Sequence, residues 1–144
     1  MSVQLSEVRF KDIHGNWIEA EVSNPFGDSP SRETVVNLID NSVASKWVDF
    51  NMIANGACQT STLIFTNLSG RPVSLSLTTA NDAPNRDPTD IFCQICDVHN
   101  FVNYRCSNTE LSLTPPYARF TLYDFIIGDS HTNSIPLSLD MPRN

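Results

Sequence analysis

The chain is built from short stretches with β-strand character, separated by clusters of turn-forming residues. In several stretches apolar and polar side chains alternate, which is the period expected of a strand with one buried face. Only residues 32–39 fit a short helix. Many short strands with turns between them predict an all-β sandwich. The β-prone stretches cover residues 3–10, 17–22, 47–50, 61–65, 73–79, 91–98 and 117–127.

Two turn-rich segments interrupt the first third of the chain. Residues 12–16, Asp-Ile-His-Gly-Asn, separate the first two β-prone stretches and predict a hairpin between them. Residues 24–30, Asn-Pro-Phe-Gly-Asp-Ser-Pro, form a longer loop. Its prolines and glycine exclude a helix and impose an unusual backbone path.

Length and composition fit a single folded domain. The chain has 144 residues, of which 40% are hydrophobic and 17% charged, so it can bury a core and does not resemble a disordered segment. No internal repeat or linker divides it. We therefore predict one domain over residues 1–137, followed by a frayed tail at residues 138–144.

The charge balance excludes some partners. A net charge of −7 repels phosphate backbones and anionic membranes, so neither nucleic acid nor a membrane surface is an expected partner. No apolar run approaches the ~20 residues of a membrane helix. The first residues lack the basic and apolar regions of a signal peptide, which predicts a cytoplasmic location unless a leader was removed.

Residues 77–88, Leu-Thr-Thr-Ala-Asn-Asp-Ala-Pro-Asn-Arg-Asp-Pro, resemble a signature of the galactose-binding-like domains, which are also called discoidin-like or coagulation factor C-domain-like. Asn24-Pro25, Leu38-Ile39-Asp40-Asn41 and residues 46–50, Lys-Trp-Val-Asp-Phe, precede it in the family's order. The resemblance covers roughly the first 88 residues. It implies a jelly-roll-like β-sandwich that binds a ligand and is not an enzyme. After Pro88 such domains continue with a tryptophan-bearing strand, which this chain lacks.

The loop after the 73–79 stretch is the first candidate binding site. Asn81, Asp82, Asn85 and Arg86 offer donors and acceptors of the kind that recognise sugar hydroxyls. The arginine fork can bind two hydroxyls at once, and in similar modules an arginine on this loop often touches ligand. The competing interpretation is that Arg86 pairs with Asp82 or Asp87 and only fastens the loop.

The two tryptophans are candidate sugar-stacking surfaces. Trp17 follows a turn, so we expect it to be the more exposed of the two and the better platform, with packing as the favoured role even here. Trp47 lies within a strand-like stretch, where core packing is the favoured role.

The resemblance also implies a structural calcium ion. Related domains often bind one at the turn that here reads Leu38-Ile39-Asp40-Asn41, and complete the site with a glutamate from an edge strand, where this chain has Glu7. Carboxylate and amide oxygens suit this ion. The predicted ligands are Glu7, Asp40 and Asn41, and the alternative is a capping aspartate with a solvent-facing glutamate.

The cysteines leave several possibilities open. Cys93, Cys96, His99 and Cys106 fall within fourteen residues and could bind zinc, although two thiols three apart on a strand point to opposite faces. A Cys96–Cys106 disulfide and buried free thiols are the alternatives.

Nothing in the chain suggests catalysis, since the histidines lie far apart and no nucleophile motif accompanies them. We therefore predict a carbohydrate-binding module that recognises a glycan or glycoprotein. A protein-interaction or structural domain of the same fold is the alternative.

Overall fold

The computed structural model describes residues 1–56, 58–98, 104–113 and 119–127. These described residues form twelve strands and hold no helix of seven or more residues. Every strand pair is antiparallel, which confirms the predicted all-β class. The strands are β1 (Val3–Leu5), β2 (Glu7–Lys11), β3 (Trp17–Ile18), β4 (Glu21–Ser23), β5 (Trp47–Asp49), β6 (Ile53–Asn55), β7 (Cys58–Thr60), β8 (Ile64–Thr66), β9 (Ser74–Thr78), β10 (Asp90–Val98), β11 (Tyr104–Ser112) and β12 (Leu122–Ile126).

A four-stranded sheet in the order β12-β9-β2-β3 forms the largest sheet. Its inner face carries a row of apolar residues in register, Phe125, Leu75, Phe10 and Ile18. Such side chains on neighbouring strands lie close enough to pack directly. In β2 the core-facing Val8 and Phe10 are buried and Arg9 and Lys11 between and after them are less so, whereas β9 is buried on both faces from Leu75 to Thr78.

Four two-stranded ribbons complete the described fold, β1-β5, β4-β8, β6-β7 and β10-β11. The sheet shares one hydrophobic core with the β1-β5 and β10-β11 ribbons, and Phe65 of β8 packs against it. Trp47 in this core is only 2% exposed. The expectation that Trp47 packs in the core is therefore confirmed. The buried core residues are Val3, Leu5, Val8, Phe10, Ile18, Leu38, Trp47, Leu75, Leu77, Cys93, Leu111, Leu113 and Ile127.

The first predicted strand is divided at Ser6 into β1 and β2, which belong to different sheets. The Ser6 amide donates to the Thr78 carbonyl at 2.9 Å, and its hydroxyl donates to the Val43 carbonyl at 3.2 Å. These bonds hold the chain where it passes from one sheet to the other. The hairpin of β2 with β3 is confirmed, with Lys11 opposite Trp17.

The predicted short helix is a single stretch of 3-10 helix at Val35–Ile39, and a second one follows at Pro84–Arg86. Leu38 in the first is fully buried. No helix within the described residues is long and apolar enough to cross a bilayer. The predicted tail at residues 138–144 lies outside the described residues, as do the domain boundary at 137, His99 and His131.

Candidate functional site

The loop after β9 is exposed at its centre and buried at both ends. Ala80 is fully buried and Asp87 is 6% exposed, whereas Asn81, Asp82 and Asn85 are exposed between them. The loop therefore presents polar side chains to solvent while its ends are held in the protein.

Its backbone turns sharply at Ala83, which has a left-handed φ of 44°. Pro84 then begins the short 3-10 helix, a position that suits its fixed φ and missing N–H. Buried Gln4 donates its side-chain amide to the carbonyls of Asp82 at 2.5 Å and of Ala83 at 3.3 Å. The strained turn is thus held from beneath by a residue of β1.

Arg119 fastens the end of this loop. Its guanidinium forms an ion pair with the Asp87 carboxylate and also donates to the carbonyls of Ala80 at 3.0 Å and Asp82 at 2.9 Å. Burial raises the pKa of Asp87, and the hydrogen bonds from Arg119 offset that rise only in part. Arg119 therefore joins both ends of the loop through one planar group.

Lys46 fastens the centre of the loop. Its ammonium group lies 2.7 Å from the Asp82 carboxylate, and this hydrogen bond lowers the pKa of Asp82. Arg86 forms no ion pair with Asp82 or Asp87 within the described residues, because their ion-pair partners are Lys46 and Arg119. Its charge nevertheless contributes to the lowered pKa of Asp82.

Arg86 is consequently left for another contact. Its guanidinium lies 5.6 Å from the centroid of the Phe50 ring, and it donates no hydrogen bond within the described part of the chain. Phe50 is 48% exposed. An aromatic ring beside a planar set of donors, with Asn85 exposed next to it, is an arrangement that can contact both the C–H face and the hydroxyls of a sugar.

A second exposed aromatic residue is carried by the neighbouring 24–30 loop. Phe26 is 80% exposed at a left-handed φ of 63°, an unusual conformation for a bulky residue. Asn51 donates to the Phe26 carbonyl at 2.6 Å, and the Phe50 amide donates to the Asp28 carbonyl at 2.8 Å. The two aromatic residues therefore sit on segments that are hydrogen-bonded to each other.

Asp49 organises this junction from the interior. It is 1% exposed, and its carboxylate accepts from the Asp28 amide at 3.0 Å, the Asn51 amide at 2.8 Å and the Ser61 hydroxyl at 2.5 Å. Burial acts to raise the pKa of Asp49, but these hydrogen bonds lower it overall. The buried charge is thus compensated by donors from three different segments.

Trp17 stands apart from the predicted loop residues. It lies on β3, opposite Lys11 at one end of β2. The other end of β2, at Glu7, pairs with Thr78, which directly precedes the loop region. It is 43% exposed, as expected, but the Arg9 and Lys11 cations lie over its ring. Asn81, Asp82, Asn85 and Arg86 thus share one loop, and Trp17 does not belong to it.

Sequence reasoning missed Phe50, Lys46 and Arg119. Phe50 directly follows a strand whose residues are all buried, so no alternation indicated that its ring is exposed. Arg119 reaches the loop because the backbone pairing of β9 and β12 extends to Thr79 and Thr121, whose amide and carbonyl bond at 3.0 Å. No local signal reports such a contact.

Two of the predicted metal ligands, Glu7 and Asp40, lie next to each other. Glu7 is 5% exposed, and the Ser42 amide donates both to its carboxylate at 3.0 Å and to that of Asp40 at 2.9 Å. The Ser45 hydroxyl also donates to Asp40. The alternative of a solvent-facing Glu7 is therefore wrong, although Asp40 does cap the 3-10 helix as that alternative expected.

The electrostatics of this pair are unusual. Burial, together with a hydrogen bond to Asp40, raises the pKa of Glu7 to about 8. Burial also acts to raise the pKa of Asp40, but hydrogen bonds from Glu7, Ser45 and Ser42 lower it overall. The raised pKa favours the protonated form of Glu7, and the distances and angles leave its Oε2 atom buried without a hydrogen-bond partner.

These residues fit a hard cation in part. Two adjoining carboxylates, one with an unpartnered buried oxygen, are suitable oxygen ligands for calcium. Asn41 follows at a left-handed φ of 61° with its side chain exposed. The described residues include no group of three or more His, Cys, Asp or Glu side chains able to hold a metal, so carbonyl, amide or water oxygens would have to complete the shell.

Of the alternatives for the cysteines, the structure contains the Cys96–Cys106 disulfide. Cys96 and Cys106 face each other across the β10-β11 ribbon, with Cα atoms 4.2 Å apart, and are joined. Cys93 lies on the opposite face and is 3% exposed, and burial raises the pKa of its thiol to about 12. The zinc hypothesis is wrong for this arrangement, because two of its proposed ligands are bonded to each other.

Comparisons with known proteins add nothing to these observations: no protein-family model, no curated protein and no solved structure matches the chain.

Proposed function

We propose that this chain is a non-catalytic carbohydrate-binding module, with a jelly-roll-like sandwich of the galactose-binding-like type. The sequence resemblance over residues 77–88 suggested this function. The observation that carries it is the position of Arg86, whose guanidinium forms no ion pair within the described residues and lies beside the exposed ring of Phe50.

The loop is preorganised for binding. Gln4, Lys46 and Arg119 hold its backbone and its acidic side chains, so Asn81, Asn85 and Arg86 are presented from a braced support. A rigid loop loses little conformational entropy when a ligand binds. In this proposal Arg86 and Asn85 bind sugar hydroxyls, and Phe50 contacts the C–H groups of the ring.

The site is shallow and has few polar groups, so the expected affinity is low. A small number of hydrogen bonds and one ring contact correspond to a Kd between about 1 mM and about 1 μM, or roughly −4 to −8 kcal/mol. Binding of this strength suits recognition of a glycan that is presented many times on a surface.

A structural calcium ion at Glu7, Asp40 and Asn41 belongs to the same proposal. The shared amide of Ser42 and the unpartnered oxygen of Glu7 support it. When bound, the ion would supply positive charge between the two carboxylates. Glu7 and Asp40 would hold the turn at residues 40–45 against β2.

The first test is a glycan array with the full chain, followed by titration of any positive glycan. Arg86→Ala is expected to abolish the signal with little change in thermal stability. Arg32→Ala is the control, because Arg32 is an exposed arginine outside the loop, whereas Arg86 is half-buried. Loss of binding in both variants, or an array without any signal, would reject the glycan proposal.

The alternative function is docking of a protein partner on the same rim. Exposed Phe26 and Phe50 support it, because aromatic residues are enriched at the centres of protein interfaces. Phe26→Ser distinguishes the two functions. The glycan proposal assigns Phe26 no ligand contact, whereas a protein interface centred on these rings would lose more than about 1 kcal/mol of binding energy.

A further inference from the structure

We propose that Arg9, Lys11 and Trp17, called here the Trp17 cluster, form a second binding site, which takes the carboxylate of a small acidic saccharide. The cluster lies away from the Arg86 loop. Glu7 marks the loop end of β2, and Lys11 lies four residues further along the strand, about 13 Å away.

The geometry of the cluster prepares Arg9 to bind an anion. The guanidinium carbon lies 3.8 Å from the centroid of the Trp17 ring, and the Lys11 ammonium nitrogen lies 4.3 Å from it. A cation–π contact uses the face of the guanidinium, whereas its five N–H groups point outward in its plane. The contact therefore orients Arg9 without occupying its donors.

Those donors are available. The ion pairs among the described residues are Lys46–Asp82, Arg71–Asp97 and Arg119–Asp87, none of which involves the cluster. The nearest acid along β2, Glu7, is instead bound to the turn at Ser42. Arg9 does attract the Glu7 carboxylate through its charge, but neither Arg9 nor Lys11 forms an ion pair within the described residues. A planar carboxylate matches the guanidinium fork of Arg9.

A cavity of about 410 Å3 opens beside the cluster. Glu19 lines it with a group that can accept hydrogen bonds from hydroxyls, and Ile18 and Ile39 form apolar walls. Its volume falls within the range of small-ligand sites. With Trp17 43% exposed, part of the indole remains for the C–H groups of a sugar ring.

The same observations argue against a long polyanion. The net charge of −7 on the chain repels extended chains of negative charge, but it penalises a single carboxylate far less. A uronic acid joins one carboxylate to a hydroxyl-bearing ring and therefore fits the cations, the polar groups and the indole together.

The test is a titration of the full chain with glucuronate, with tryptophan fluorescence as the measured signal. Trp47 is buried and gives a constant background, so a change reports on Trp17. We expect a saturable change with glucuronate and none with glucose. Arg9→Gln should weaken binding about tenfold or more because charge-assisted hydrogen bonds are lost, and Arg9→Lys should weaken it less.

Arg32→Gln carries the same charge change at an exposed position outside the cluster, and it should bind like the wild type. Arg86→Ala should also leave this site intact, so failure here is distinct from failure of the Arg86 site. Lys11→Gln provides a second cluster variant, and backbone NMR shifts confined to residues 9–19 provide a second readout.

Three results would overturn the proposal. One is the absence of a saturable response in the wild-type chain. Another is equal weakening by Arg9→Gln and Arg32→Gln, which would indicate only general charge attraction. The third is that sulfate binds as tightly as glucuronate. That result would indicate an anion site in which the sugar ring has no role.

Discussion

Arg119 forms an ion pair with the buried carboxylate of Asp87, and this pair frees Arg86 from the role that its place in the sequence suggested. The Asp87 side chain has no exposed surface. A buried carboxylate needs a cationic or hydrogen-bonding partner, and Arg119 provides both from the segment that leads into β12.

The two arginines should therefore separate stability from binding. Arg119→Met leaves Asp87 buried and unpaired, and we expect the free energy of unfolding to fall by about 3–5 kcal/mol. Arg86→Ala should change it by less than about 0.5 kcal/mol. Urea unfolding monitored by circular dichroism measures both, and comparable losses in the two variants would contradict the assignment.

Asp49 should behave as a buried anchor of the aromatic rim. Asp49→Ala leaves the amides of Asp28 and Asn51 without their acceptor, and the expected cost is about 2–4 kcal/mol. Asp28→Ala is the control, because its backbone amide remains and its side chain is exposed. Urea unfolding gives the cost, and faster hydrogen exchange at residues 28 and 51 in Asp49→Ala alone would locate the change.

Glu7 should make the metal-free protein less stable as the pH rises. Its pKa is about 8 in the folded chain against an ordinary value of 4.5, so the folded state binds the extra proton between those values. The resulting stability is fully present below pH 4.5 and is lost as the pH rises through 8. Allowing for solvent screening, we expect a loss of about 1–2 kcal/mol.

Unfolding midpoints in chelator from pH 5 to pH 9 measure this loss. Burial also raises the pKa of Asp87, which gives a slope of the same sign, so the wild-type curve alone does not isolate Glu7. Glu7→Gln isolates it, because the amide does not titrate and this variant should lose less stability over the range. Parallel curves for the two proteins would show that Glu7 is not the responsible group.

Calcium should stabilise the protein if the proposed site exists. At a free concentration about 100-fold above its Kd, an ion that binds only the folded state adds about 2.7 kcal/mol. Glu7→Gln and Asp40→Asn should each remove most of this increase. Glu110→Gln is the matched control, because Glu110 is exposed on β11. A melting temperature that calcium does not alter in the wild type would rule out the ion.

The Cys96–Cys106 bond should stabilise the β10-β11 ribbon. Its reduction, or the double change Cys96→Ser and Cys106→Ser, is expected to lower the free energy of unfolding by about 2–4 kcal/mol. Peptide mapping without reductant should recover residues 96 and 106 in one linked species. Cys93 should resist alkylation in the folded protein, since its thiol is buried and its pKa is raised to about 12.

The strand content could be read from the sequence because alternation is a local property. Val8 and Phe10 face the core and Arg9 and Lys11 do not, as their order predicts. Sheet membership is not local, because it depends on which partner strand is available. This is why the alternation of residues 3–10 does not indicate that the strand is divided at Ser6 between two sheets.

The sequence by itself determined the all-β class, the hairpin of β2 with β3, and the concentration of polar groups at residues 81–86. The tertiary structure alone decided which of those groups are held and which are free. Lys46, Arg119 and Phe50 reach the loop from distant segments, and pairings at such separations depend on how the strands stack. The physical reason is that local propensity acts over a few residues, whereas burial and charge compensation act between whichever segments the fold brings into contact.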